Sequence, residues 1–150
     1  MPAVASIALL NGEGTPVSHT FAPLGQNRET GFWWFEDQSP RIASTSMMGW
    51  PRIGIRSRRA NDGGPGDSAK SRINRVEFIL ALPSLETLGT SDSGLTPPPT
   101  IAYVDRVKKE FLLPARDALA DRKDLLAYDK NICSNAIFLD MIHNLTQLYG

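Results

Sequence analysis

Eight basic side chains lie between residues 41 and 75: Arg41, Arg52, Arg56, Arg58, Arg59, Lys70, Arg72 and Arg75. Only Asp62 and Asp67 oppose them there, so the stretch carries a net charge of +6 in a chain whose total is zero. Guanidinium forks bind phosphate bidentately and stack on planar rings. Charge separated along a chain can become charge separated by face, and a basic face suits a polyanion. Blocks of like charge are also commonly solvated loops, so the elements carrying these residues decide between the two readings.

Other chemistries find little support. Two histidines, His19 and His143, and one cysteine, Cys133, are too few for a multi-His metal site, a Cys-based zinc cluster or an intramolecular disulfide. His19 alternates with Val17 and Phe21 and is expected to be packed or hydrogen-bonded, while His143 falls on a polar helix face. No nucleophile elbow, phosphate loop, zinc-protease motif or dinucleotide fingerprint occurs. Asp117, Asp121 and Asp124 share a helical spacing that capping and the helix dipole explain. Cys133 has apolar helical neighbours and is expected to be buried and inert. The sequence therefore gives no catalytic residue and implies no metal or cofactor. The aromatic run Phe32, Trp33, Trp34 and Phe35 fits either core or a base-stacking platform.

The elements that position the bases change period near residue 114. With 150 residues the chain has one domain's length, and no apolar run is long enough for a membrane helix. The N-terminus lacks a basic n-region and reads as mature structure. Residues 1–113 read as short strands: 6–10, then 17–21 ending at Pro23, 31–36, 52–58, 73–82 stopped by Pro83, and 101–113. Turn residues separate them at 11–16 and 61–67, and residues 84–100 form a long Gly/Ser/Thr/Pro connection. From Ala115 the period becomes 3.6. Asp117 is the expected N-cap of a first helix carrying Leu119, Leu125, Leu126, Ile132 and Cys133 on one face. A break at Ser134-Asn135 offers the N-cap of a second, whose stripe is Phe138, Met141, Ile142, Leu145 and Tyr149.

Strands followed by helices predict an α+β fold: an N-terminal hairpin and an antiparallel sheet of five or six strands, then two C-terminal helices, in one domain over 1–150. Two helices cover only part of such a sheet, and their apolar stripes are generous. Both features predict a homodimer through Phe138, Met141, Ile142 and Leu145, with one sheet face left open. Strand parity places Arg52, Arg56 and Arg58 opposite Ile53 and Ile55, Arg75 opposite Val76 and Phe78, and Arg106 and Lys108 opposite Val107 and Phe111. The open face is thus basic and suited to RNA, although Glu77 and Ile79 interrupt it.

This order of elements resembles the coat proteins of single-stranded RNA bacteriophages. The segment LNGEGTPVSHTFAP from Leu10 to Pro23 looks like that family's N-terminal hairpin, and ADRKDLLAY from Ala120 to Tyr128 looks like its first C-terminal helix. The closing Leu148, Tyr149 and Gly150, the strand ending at Pro83, Thr96-Pro97 in the long loop and Pro114 fall in the family's order, so the likeness spans almost the whole chain. The insert at 38–50 and the aromatic run depart from it.

The resemblance implies interlocked homodimers that assemble in a bacterial host's cytoplasm into an icosahedral shell, the virion capsid, around genomic RNA. It implies an inward sheet that binds a viral RNA stem-loop operator and represses replicase translation. The matching inward cations are Arg52, Arg56, Arg58, Arg75, Arg106 and Lys108. Residues 84–100 match the loop at the shell's symmetry axes, which some members cross-link by cysteines absent here. A cellular RNA-binding dimer using the same basic sheet is the alternative; a membrane partner is not expected.

Overall fold

A computed structural model of the chain describes residues 4–37, 46–60, 72–86, 89, 94 and 97–147. Six strands form a single antiparallel sheet in chain order: β1 (Ile7–Leu10), β2 (Ser18–Gln26), β3 (Trp33–Asp37), β4 (Arg52–Arg58), β5 (Ile73–Leu85) and β6 (Ile101–Pro114). Two helices follow, α1 (Leu119–Ile132) and α2 (Ala136–His143). A 3-10 turn at Met47–Gly49 precedes β4. The expected α+β order is the observed one. The turn expected at 61–67 lies outside the described residues, as do most of residues 87–96.

Local chemistry sets the strand connections. Asn11 closes the β1–β2 turn: its side-chain oxygen accepts from the Val17 amide at 2.8 Å, and its own amide donates to the Val17 carbonyl at 3.0 Å. The β2–β3 turn is built likewise on Asn27, whose side-chain oxygen accepts from the Glu29 and Thr30 amides. Gly31 takes φ +74° there, a conformation that a Cβ penalises.

Two prolines expected to end strands do not. β2 runs through Pro23 because the register with β3 shifts between Pro23 and Gly25, and Gly25 at φ +134° absorbs the irregularity. β5 runs through Pro83 because β4 pairing stops at Ala81. Glu86 donates to the Thr100 carbonyl beside β6. Alternation then points Pro83 to the other side, where β4 has ended and no N–H is needed.

Register divides the sheet into two faces. Pairing of Phe35 with Ile53 and of Ile53 with Leu80 puts these three on one side with Phe21, Ile55 and Phe78. Phe21, Phe35 and Ile53 are the buried centre of this apolar face, and Ile7, Ile55, Phe78 and Leu80 pack on them. The same face holds a polar pair. His19 Nδ1 lies 2.6 Å from Asp37 Oδ2, with Asp37 wholly buried, and His19 Nε2 faces the Asn11 amide nitrogen at 3.4 Å. A ring carrying its proton on Nδ1 satisfies both contacts. The pair ties β2 to β3 and anchors the first turn, the packed role expected for His19. Asp37→Ala should therefore lower the urea unfolding free energy by about 2 kcal/mol; an unchanged midpoint would show that the pair does not hold the strands.

In the helical part of the chain, α1 begins at Leu119 with Ala118 at the N-cap and no side-chain cap. This corrects the assignment of Asp117, whose backbone oxygen accepts instead from the Arg122 side chain. At the expected break it is Asn135 that caps α2, accepting from the Ile137 amide at 3.0 Å. The helix stops at His143, short of the expected stripe. Asn144 and Thr146 fold back to donate to the Asp140 carboxylate at 2.6 and 2.7 Å. These two bonds, with the nearby His143 charge adding a smaller effect, hold the Asp140 carboxyl below the usual aspartate range. Leu145 consequently sits beyond the helix at φ +54°, and Tyr149 lies outside the described residues. Neither helix has a buried residue.

Candidate nucleic-acid interface

The face opposite the apolar core carries Arg52, Arg56 and Arg58 on β4, and Arg75, Glu77 and Ile79 on β5, as the pairings of Arg52 with Ala81, Arg56 with Glu77 and Arg58 with Arg75 require. Alternation along β4 is strict, so Ile53 anchors the strand on the core side and projects its neighbours to the other. Arg58 and Arg75 sit directly opposite one another, an arrangement of like charge that the Glu110 carboxylate relieves in part by pairing with Arg75.

The six expected cations fall into three groups. Arg52 donates to Glu36 at 2.8 Å, and Arg75 reaches Glu110 at 3.2 Å; both arginines remain about half exposed. Arg56 is different. Its Nη2 donates to Glu77 Oε1 at 2.6 Å, its Nε bonds the other carboxylate oxygen, and its Nη1 donates to the Thr30 carbonyl at 2.6 Å. Only 13% of its side chain is exposed, so its charge is neutralised inside a fork and its donors are occupied. Hydrogen bonds from Arg56 hold the Glu77 carboxyl below the usual glutamate range. Burial opposes that shift, and the charges of Arg56, Arg58 and Lys108 reinforce it. The side chains of Arg58, Arg106 and Lys108 make no hydrogen bond or ion pair among the described residues.

Arg52, Arg106 and Lys108 line one concavity of about 760 Å³ on the sheet, with Trp34, Ile79 and Gln26 among the other walls. The aromatic run splits by parity. Phe35 is core, and Trp34 pairs with Gly54 on the basic face. Phe32 is buried beside it, with ring centroids 5.8 Å apart, and the Arg56 guanidinium lies 4.3 Å from the Phe32 centroid. Sequence reasoning placed the cations and Glu77 on this face but missed the ion pairs and the position of Trp34. The partners are cross-strand neighbours, legible only once register is known. Among the described residues no group of three or more His, Cys, Asp or Glu side chains is placed to hold a metal, and no helix is long and apolar enough to cross a membrane.

The residues expected at a dimer interface are placed as follows. Phe138 and Met141 are half-buried on α2, Ile142 is exposed there, and Leu145 is exposed beyond the helix end. Among the described residues only Phe21, Phe32, Phe35 and Ile53 are buried hydrophobic side chains, while large apolar groups stand exposed along both helices.

The comparisons place this six-stranded sheet with two C-terminal helices in the class of viral coat proteins. The virus-like particle of bacteriophage ESE058 superposes with TM-score 0.86 at 31% identity, over 99% of this chain and 100% of that one. The virus-like particle of bacteriophage NT-214 gives 0.78 at 20% identity with the same coverage. The capsid protein of bacteriophage GA gives 0.65 at 16% over 97% and 98%; these two likenesses concern the fold alone. A family model for the levivirus coat protein matches residues 2–149. The chain belongs to the levivirus coat protein family: it is a structural protein of the virion capsid, a family whose members self-assemble into the shell. No curated protein sequence matches it.

Proposed function

We propose that the protein forms interlocked homodimers that close into an icosahedral shell around single-stranded genomic RNA. Its basic sheet face binds an RNA stem-loop and thereby represses replicase translation. The observation that carries the RNA reading is the concavity in which Arg52, Arg106 and Lys108 converge. Arg106 and Lys108 have no salt-bridge partner there among the described residues, and Arg58 adds positive charge across from Arg75, itself paired with Glu110. Arg56, held by Glu77, Thr30 and Phe32, shapes this face and is not a phosphate ligand in this reading. The dimer reading is supported by the exposed apolar groups of α1 and α2, and the partner's sheet is the surface proposed to cover them.

Phosphate neutralisation releases counterions, so RNA affinity should fall with salt. Gel-shift titrations at several salt concentrations should show Arg106→Ala or Lys108→Ala weakening binding and flattening the log K against log salt slope by about 0.7 each. Arg116→Ala and Lys123→Ala, in the helical part of the chain, should matter much less. Equal losses from both sets would mean diffuse charge attraction and no interface on the sheet. Repression is tested separately, by a reporter carrying the genomic stem-loop ahead of its start codon.

A further inference from the structure

We propose that Trp34 is the seat of an unpaired RNA base, which stacks on its indole while the flanking phosphates lie at Arg52, Arg106 and Lys108. The inference rests on the reading that this face binds RNA, and it adds a contact that charge does not supply. Trp34 is half-buried and lines the concavity together with those three cations. The volume of about 760 Å³ lies within the roughly 300–1,000 Å³ range of sites that enclose a group of this size.

The indole is held in place from behind. A Cβ on Gly54 would stand 3.0 Å from Trp34 Cζ3, 3.1 Å from its Cη2 and 3.2 Å from Phe32 Cδ1. Only glycine at this register position lets the ring settle onto the strand. Phe32 lies against Trp34 at a 34° tilt, and the Arg56 guanidinium covers Phe32. Arg56 is fixed by Glu77 and by the Thr30 carbonyl. Guanidinium, phenyl and indole thus form a supported series ending at the cavity. A ring held this way loses little freedom when a base stacks on it. Aromatic platforms of this kind take any base, because every base has a π-face, so they favour single-stranded segments such as a loop or a bulge.

The test uses dimers dissociated from purified particles and a fluorescent hairpin oligoribonucleotide with an unpaired loop. Trp34→Ala should weaken binding by about 5- to 100-fold, the range of one base–aromatic stack, and leave the salt slope unchanged. Arg106→Ala should flatten that slope. Trp34→Phe should keep part of the affinity. Gly54→Val should reproduce part of the loss with every charge in place, because its side chain displaces the ring. In a Trp33→Phe, Trp50→Phe background the remaining indole emission should be quenched by the RNA, a readout that needs no destabilising change at Trp34. Wild-type affinity in Trp34→Ala, or emission unmoved by RNA, overturns the inference while leaving the RNA reading intact. Absence of salt-dependent binding by the wild type overturns both.

Discussion

Met141→Asp should abolish both the dimer and the particles. Met141 lies half-buried on α2 between the half-buried Phe138 and the exposed Ile142, and neither helix buries a residue within its own chain. Burying side chains of this size contributes about 1.5–3 kcal/mol each. An ionised carboxylate placed among them either stays in water, forbidding association, or enters the interface unpaired at far greater cost. Met141→Leu conserves volume and polarity and should assemble normally. Sedimentation of the two variants beside the wild type decides. Normal particles from Met141→Asp would mean that this stripe lies outside the interface.

Arg56→Ala should destabilise the fold by about 3 kcal/mol, the typical cost of stranding a buried charge. Glu77 is 6% exposed and would lose the fork that neutralises it. Loss of the bond to Thr30 and of the cover on Phe32 would loosen the β2–β3 turn as well. Arg56→Lys keeps the charge without the fork and should fall between. Urea unfolding at fixed protein concentration measures the difference. A change within about 0.5 kcal/mol, the range of ordinary surface substitutions, would show that the cluster does not support the sheet.

The same pair gives a pH dependence of known sign. Folding lowers the Glu77 pKa, so the unfolded chain binds more protons across the interval between the lowered and the ordinary value. The resulting stability is fully present above the ordinary glutamate range and is lost as pH falls through the lowered value. Glu77→Gln removes this contribution, so the gap in stability between wild type and variant should shrink on acidification.

How much of this was legible in the sequence depends on what each element answers to. The bounds of β4 and the split of its faces follow from the alternation of Ile53 and Ile55 with Arg52, Gly54 and Arg56, a local signal that the core then uses directly. The start of α2 was legible to within the Ser134-Asn135 break because both side chains can cap a helix, and Asn135 is the one that bonds the Ile137 amide. Pro23 and Pro83 misled because a proline's effect depends on which neighbour its nitrogen faces, and that is a property of the sheet. The stripe of α2 was extended too far because the capture of Asn144 and Thr146 by Asp140 outweighs the apolar period. On the basic face the residue types were legible and their availability was not. Nothing local tells Arg56, bound on all sides, from Arg106 and Lys108, which are not.

The most direct test of the account is electron microscopy of the protein expressed alone in a bacterium, joined to an absorbance spectrum of the purified material. A coat protein whose basic sheet face gathers RNA should yield uniform closed shells with a nucleic-acid spectrum that survives external ribonuclease. A soluble species no larger than a dimer, or shells empty of RNA, would contradict it.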